Sequence, residues 1–500
     1  MTPITRSHLL EGALITGISA ATLLLWLSTF DVLVALAPVA LAAGVWALLR
    51  APPHLTAISV FFLAIVVDNP KEHPFEDRFV SPLKPLGVAL YENLNTLTGV
   101  GALRFSGSDV LLAALFLAAI AKERRSSAVP PPPALSKVLG IAWLSVIWME
   151  LWGMLRGGDF KASLWQARPL FWAPVIALVF ARSVRGPADH LLVGKAVILA
   201  ALIKASFAIY FYFIVCRPLG YYPGYATTHS DTVLFVAASV IALAIALEER
   251  KLPTALASLA VLLWVGLGII VNGRRVAYLS LTGSIAAIRL VLPDSPIRRS
   301  FDRLLVRVVP IAAVYLALGW TSNAAVFGPA RKVASLFSAE DRSAGMRDIE
   351  NFNLTADFKH HLLTGIGFGN AYNELTRPEG IEQIFPLYRY IGHNSILWLH
   401  NAGGLVGFAS FWLQPALLSY LAARSYRFAT CPRDRAAALA CLSVVVIFGV
   451  QAQGDMGLNS WTAMFFLGMS LALSAKLAVA SGALSFPHAP VLSGAARSRP

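Results

Sequence analysis

Charge and cysteine are scarce in this chain. Only 14% of its 500 residues are Asp, Glu, Lys or Arg, where a soluble globular chain carries about 25%. Against that, 57% are hydrophobic, more than a soluble core can hide, so the bilayer is the natural solvent. The same figures exclude intrinsic disorder. Three cysteines, Cys216, Cys431 and Cys441, are too few for a disulfide scaffold and have no metal-ligand spacing, so they read as packing residues. An internal repeat is also missing, as is any acidic cluster spaced for a divalent ion.

What is present is a succession of apolar runs. A membrane-crossing helix needs about 20 apolar residues. Fourteen runs are read: 9–29, 32–49, 51–67, 105–121, 137–155, 165–181, 190–215, 232–247, 253–271, 276–292, 304–320, 395–421, 436–451 and 460–478. The expected fold is an all-α polytopic integral membrane protein with 12–14 transmembrane helices. Arg6 before the first run suggests a signal peptide. Ala35-Leu36-Ala37 is followed by Pro38, however, and a second apolar run comes at once, so a retained anchor is expected.

Lys and Arg set the orientation. Basic residues recur in alternate loops: Lys122 to Arg125, Arg182 with Arg185, Arg250-Lys251, Arg298 to Arg307, and Arg424 to Arg435. All fall on one side together with both termini, and that side is read as cytoplasmic. The net charge of +14 would suggest nucleic acid in a soluble chain. Here most of it lies on the cytoplasmic side and the outer loops are close to neutral, so no nucleic-acid partner is expected.

Four units follow: an N-terminal helix bundle at 1–320, a large outer loop at 321–394, C-terminal transmembrane helices at 395–480 and a cytoplasmic tail at 481–500. Pro130 to Pro133 reads as a stiff spacer in a cytoplasmic connector. In the outer loop Ile349, Phe352, Ala356 and Leu363 recur at roughly helical spacing, which predicts an amphipathic helix over the bundle.

Four outer features bear chemistry. At Asn272-Gly273-Arg274-Arg275, two guanidinium groups at a helix end offer a fixed fork for a phosphate or diphosphate. Interfacial snorkelling is the alternative. Arg347 and His361 precede Thr364-Gly365-Ile366-Gly367-Phe368-Gly369-Asn370, whose glycines suit a tight turn better than a nucleotide loop, since no parallel-strand context surrounds them. Gly392-His393-Asn394-Ser395 lies where the loop re-enters the membrane. There His393 can take a proton from a hydroxyl, or serve only in structure, while Asn394 or Ser395 caps the helix. His400 follows at i+7, a poor metal spacing. Asp455, in Gln451-Ala452-Gln453-Gly454-Asp455, can orient a histidine or an Arg or stand solvated. Lys204 and Glu150 are ionisable groups within spans.

Taken in order, Arg274-Arg275, the long loop, Arg347, His361-Leu362-Leu363-Thr364-Gly365-Ile366-Gly367, Gly392-His393-Asn394-Ser395-Ile396-Leu397 and Asn401-Ala402-Gly403-Gly404-Leu405-Val406-Gly407 resemble the O-antigen ligase/polymerase superfamily of bacterial envelope glycan enzymes. The resemblance covers about 260–475. Leu362 stands where the family often has Pro, and Gly403 where it often has Glu or Tyr. The resemblance implies a GT-C-like architecture in the bacterial inner membrane with its site facing the periplasm. It implies metal- and cofactor-independent inverting transfer of a glycan from an undecaprenyl diphosphate carrier to an acceptor hydroxyl. The acceptor would be lipid A-core for a ligase or another glycan for a polymerase, with membrane lipid as the surroundings. By position, Arg274 or Arg275, together with Arg347, would hold the diphosphate and His393 would be the general base. Asp455, His361, Asn394 and His400 would be supporting residues.

A polytopic transporter or lipid-linked glycan flippase is the rival of another class. It predicts charges facing a central cavity in two related halves, and no such repeat is read. A non-catalytic scaffold would leave the cations and His393 with no shared role. Convergence of His393 with Arg347 or Arg274 separates these readings.

Overall fold

The computed structural model describes residues 6–29, 36, 39, 42–44, 46–47, 50–69, 81–101, 103–122, 129–220, 225–335, 342–377 and 385–484. Among the described residues the chain is helical, with no strand beyond one isolated bridge, Asn93 to Ser106. In order the main helices are α1 Arg6–Thr29, α2 Pro53–Val66, α3 Gly107–Lys122, α4 Pro133–Leu155, α5 Phe160–Ser183, α6 Pro187–Tyr210, α7 Asp231–Glu249 and α8 Leu252–Asn272. They continue with α9 Arg275–Val291, α10 Pro296–Gly319, α11 Arg342–His360, α12 Ser395–Phe428, α13 Pro432–Gly454 and α14 Trp461–Ala480.

Eight of these are long and apolar enough to cross a membrane: α4, α5, α6 with its continuation to Leu219, α7, α8, α12, α13 and α14. The chain is a polytopic α-helical membrane protein. Three shorter apolar helices, Ile15–Leu24, Pro53–Val66 and Gly107–Ile120, coincide with the first, third and fourth expected spans. The expected run 32–49 lies for the most part outside the described residues. The runs 276–292 and 304–320 do fold as helices. However, α9 has only 17 residues, and the first half of α10 carries Arg298, Arg299, Asp302, Arg303 and Arg307.

Apolar on most of its surface, α14 is buried along nearly its whole length and packs against α5, α12 and α13. The starts of α7, α9, α12 and α14 and the ends of α8 and α13 meet at one end of the bundle. Ser230 and Ser460 share a hydrogen bond there, the Leu458 amide donates to Ser395 Oγ, and Thr227 donates to Asn272 Oδ1. Gly273, at φ 65°, closes the turn between α8 and α9 and leaves Arg274 and Arg275 on this end.

Helix α12 is broken inside. Gly404 has φ 58° and ψ −165°, which interrupts the backbone ladder within the apolar region. Freed groups in such a place have to find other partners. The amides of Ile366 and Gly367 donate to the carbonyls of Asn401 and Ala402, and the amides of Leu405 and Val406 donate to Leu362 and Leu363. The glycine run is therefore a backbone splint for a broken helix. Gly365 and Gly367 have positive φ, and a Cβ on either would collide with Ala402 or Gly153. This closeness, and the turn expected of the run, are what its glycines allow.

Candidate functional site

The segment between α10 and α12 contains a helix, α11, which packs on α12, and its buried face is not the apolar stripe. Phe352 and Leu363 are exposed, while Glu350, Asn353, Leu354 and Asp357 are buried. Beneath it lie the start of α12 and the turn at 373–376, which supply polar partners to this face. Asp357 accepts from Asn401 and Asn373, and Asn353 joins Leu375 and Thr376.

Glu350 brings α11 to the start of α12. Its side chain is 1% exposed, and Oε2 lies 3.0 Å from the His393 amide and 3.1 Å from His393 Nδ1. A carboxylate accepts only, so Nδ1 is the donor to it, and in the neutral ring Nε2 keeps its lone pair. His393 is 23% exposed, so the ring is held at its root and open beyond it. The Met456 amide donates to the His393 carbonyl, which ties this residue to the turn after α13. Met456 has φ 52°, an unusual conformation for a residue with a side chain.

A second cluster begins at the neighbouring Asp455. Arg274 Nη2 donates to Asp455 Oδ2 at 2.6 Å, and Gln451 donates to the same oxygen. His229 Nδ1 lies 3.3 Å from Asp455 Oδ1, while Nε2 lies 3.1 Å from Arg274 Nη1. The Tyr225 ring stands 5.8 Å from the Arg274 guanidinium and edge-on to His229. Burial acts to raise the Asp455 carboxyl. Arg274, hydrogen bonding from His229 and the charge of Arg347 outweigh it and hold the group below the ordinary carboxylate range.

Arg347 stands one helical turn before Glu350 on α11, on the same face. It has no hydrogen bond or ion pair among the described residues. Burial lowers its guanidinium from the ordinary value; Asp455 and Glu350 act against this, and Arg274 and Arg275 with it. Arg274, Arg347, His393, Glu350 and Asp455 therefore share one end of the bundle. Among the described residues, no group of three or more His, Cys, Asp or Glu is placed to hold a metal ion.

No family model matches the chain, and no curated protein does.

The remaining expected residues divide. Arg275 turns away to Ser335, at the end of the short helix Gly328–Ala334. Asn394 caps α12 by accepting from the Leu397 amide. His400 packs its ring on Phe408 at 3.5 Å and holds the Ile396 carbonyl, a structural position away from the cluster. His361 is half-buried in the turn after α11, where its carbonyl accepts from Gly365. Glu150 accepts from Ser163, and Lys204 pairs with Asp68 and Asp231. Glu350 and His229 are the residues that sequence reasoning missed. Glu350 was visible as part of the polar series Arg347, Glu350, Asn353 and Asp357, whereas His229 had no such signal.

Proposed function

We propose that the protein is a membrane glycosyltransferase of the O-antigen ligase type, taking its glycan from an undecaprenyl diphosphate carrier on the periplasmic face. The full reading includes fourteen spans in a GT-C-like arrangement, the bacterial inner membrane and both termini in the cytoplasm. One observation carries it: the Glu350–His393 pair, with Nδ1 held by the carboxylate, lies at the same end of the bundle as Arg274 and Arg347.

The acceptor hydroxyl attacks the anomeric carbon as the bond to the diphosphate breaks, and configuration inverts. The hydroxyl proton passes to His393 Nε2, a general-base contribution of about 100- to 10,000-fold. Negative charge grows on the departing diphosphate. Arg347 and Arg274 face it as preorganised cations, and one such donor contributes about 2.7–4 kcal/mol. Glu350 keeps the tautomer and stabilises the imidazolium that forms.

The test is reconstitution with a lipid-linked glycan and a glycan or lipid A-core acceptor. His393→Ala and Arg347→Ala are expected to lose at least about a hundredfold in transfer. Full transfer by His393→Ala would remove the base from the mechanism. Chain length of the product separates single transfer from polymer growth.

A further inference from the structure

We propose that His229 is a third anion-binding side chain of this site, neutral in its present contacts and protonated when a diphosphate lies against Arg274. The inference rests on the diphosphate-donor reading and adds a residue that reading does not use.

The hydrogen bonds assign the proton. A guanidinium has donors and no acceptor. With Arg274 Nη1 at 3.1 Å, His229 Nε2 must accept, so its one ring proton sits on Nδ1 and faces Asp455 Oδ1. Both nitrogens are thus committed while the ring is neutral. Its side chain is 33% exposed, against 17% for Arg274 and 6% for Asp455, so the imidazole is the open edge of the cluster.

A diphosphate approaching Arg274 from that edge meets an Nε2 lone pair. Two acceptors in contact repel. A proton taken from water onto Nε2 turns the contact into a charge-assisted hydrogen bond, while Nδ1 continues to donate to Asp455. The proton returns to water when the anion leaves.

The surrounding charges are mixed in sign. Asp455 at the end of α13 and Arg274 between α8 and α9 touch the ring, with Tyr225 edge-on. Arg347 of α11 acts on Asp455 from the other side. Two residues along the chain Asp231 begins α7, paired with Lys204 of α6, which also holds Asp68 after α2. Asp455 can support an imidazolium, and Arg274 opposes one until an anion stands between them.

The experiment uses the full chain in nanodiscs of neutral lipid. Undecaprenyl diphosphate and, separately, inorganic pyrophosphate are titrated by calorimetry from pH 6 to 8.5, in two buffers of different ionisation heat. The ligand's own ionisation is common to all variants, so differences between proteins report His229. Wild type is expected to take up most of one proton more than His229→Gln, with Kd rising toward tenfold per pH unit more steeply. His229→Arg, a fixed cation, is expected to bind without that added dependence. Melting temperatures check that both variants are folded.

Binding of both probes with this linkage assigns it to the diphosphate group, and binding of the lipid form alone assigns it to a lipid-linked diphosphate. Equal proton uptake and equal pH slopes in wild type and His229→Gln overturn the inference and leave the donor reading standing. Failure of wild type to bind either probe overturns both.

Discussion

Replacing Glu350 by Gln isolates the charge of the group that holds His393. The amide is nearly isosteric, and its oxygen can still accept from the His393 amide and Nδ1. What disappears is a buried negative charge 3.1 Å from the ring that becomes cationic in the proposed reaction. A hydrogen bond to a charged group contributes about 1.5–3 kcal/mol, against about 1 kcal/mol for a neutral one. The difference is about 0.5–2 kcal/mol in the transition state, or roughly 2- to 30-fold in rate. The low exposure of Glu350 places the expectation near the upper limit, about tenfold or more. The assay is steady-state transfer in proteoliposomes, with kcat and KM for the acceptor measured separately. The loss should fall on kcat, since the carboxylate acts on charge that develops after binding. Glu350→Ala should cost more, because it also strips the His393 amide of its acceptor. A folded Glu350→Gln protein with unchanged kcat would refute the argument, and so would a loss confined to KM.

Three further outcomes concern stability. Gly404→Ala forces a side chain into positive φ and against the Leu363 carbonyl, and should lower stability by at least about 1–3 kcal/mol in thermal unfolding. Asp455 has a depressed folded-state pKa, so its stabilisation is complete above the unfolded value of about 3.9 and is lost as pH falls through the folded one. The melting-temperature gap between wild type and Asp455→Asn should therefore be steady above about pH 5 and shrink toward pH 3. Lys204→Met leaves Asp68 and Asp231 without their shared cation and should destabilise by about 3–5 kcal/mol, with partial recovery on adding Asp231→Asn.

The helices were legible because each needs only local information, a run of apolar residues long enough to satisfy its own backbone in lipid. The break at Gly404 was not. Its acceptors and donors come from 362–367, and no local pattern links that segment to 401–406. In the loop helix the apolar spacing predicts an amphipathic helix on the bundle, yet Phe352 of that stripe is exposed. Hydrophobic periodicity fails where the surface to be covered presents polar side chains and turn backbone, because such a surface rewards hydrogen bonding instead. Arg274 and Asp455 were each singled out, but their pairing spans 181 residues and depended on α8 and α13 ending on the same side. His229 lay in a short turn with nothing to mark it until that turn was folded against Arg274.

The splint on α12 limits how the segment 361–370 can move. A lid hinged at 361–370 would first have to unpair Ile366, Gly367, Leu405 and Val406 from their partners. Each unmade buried bond costs about 1–3 kcal/mol. Amide exchange at Ile366 and Gly367 should accordingly be as slow as in the bundle interior, although both lie in a loop.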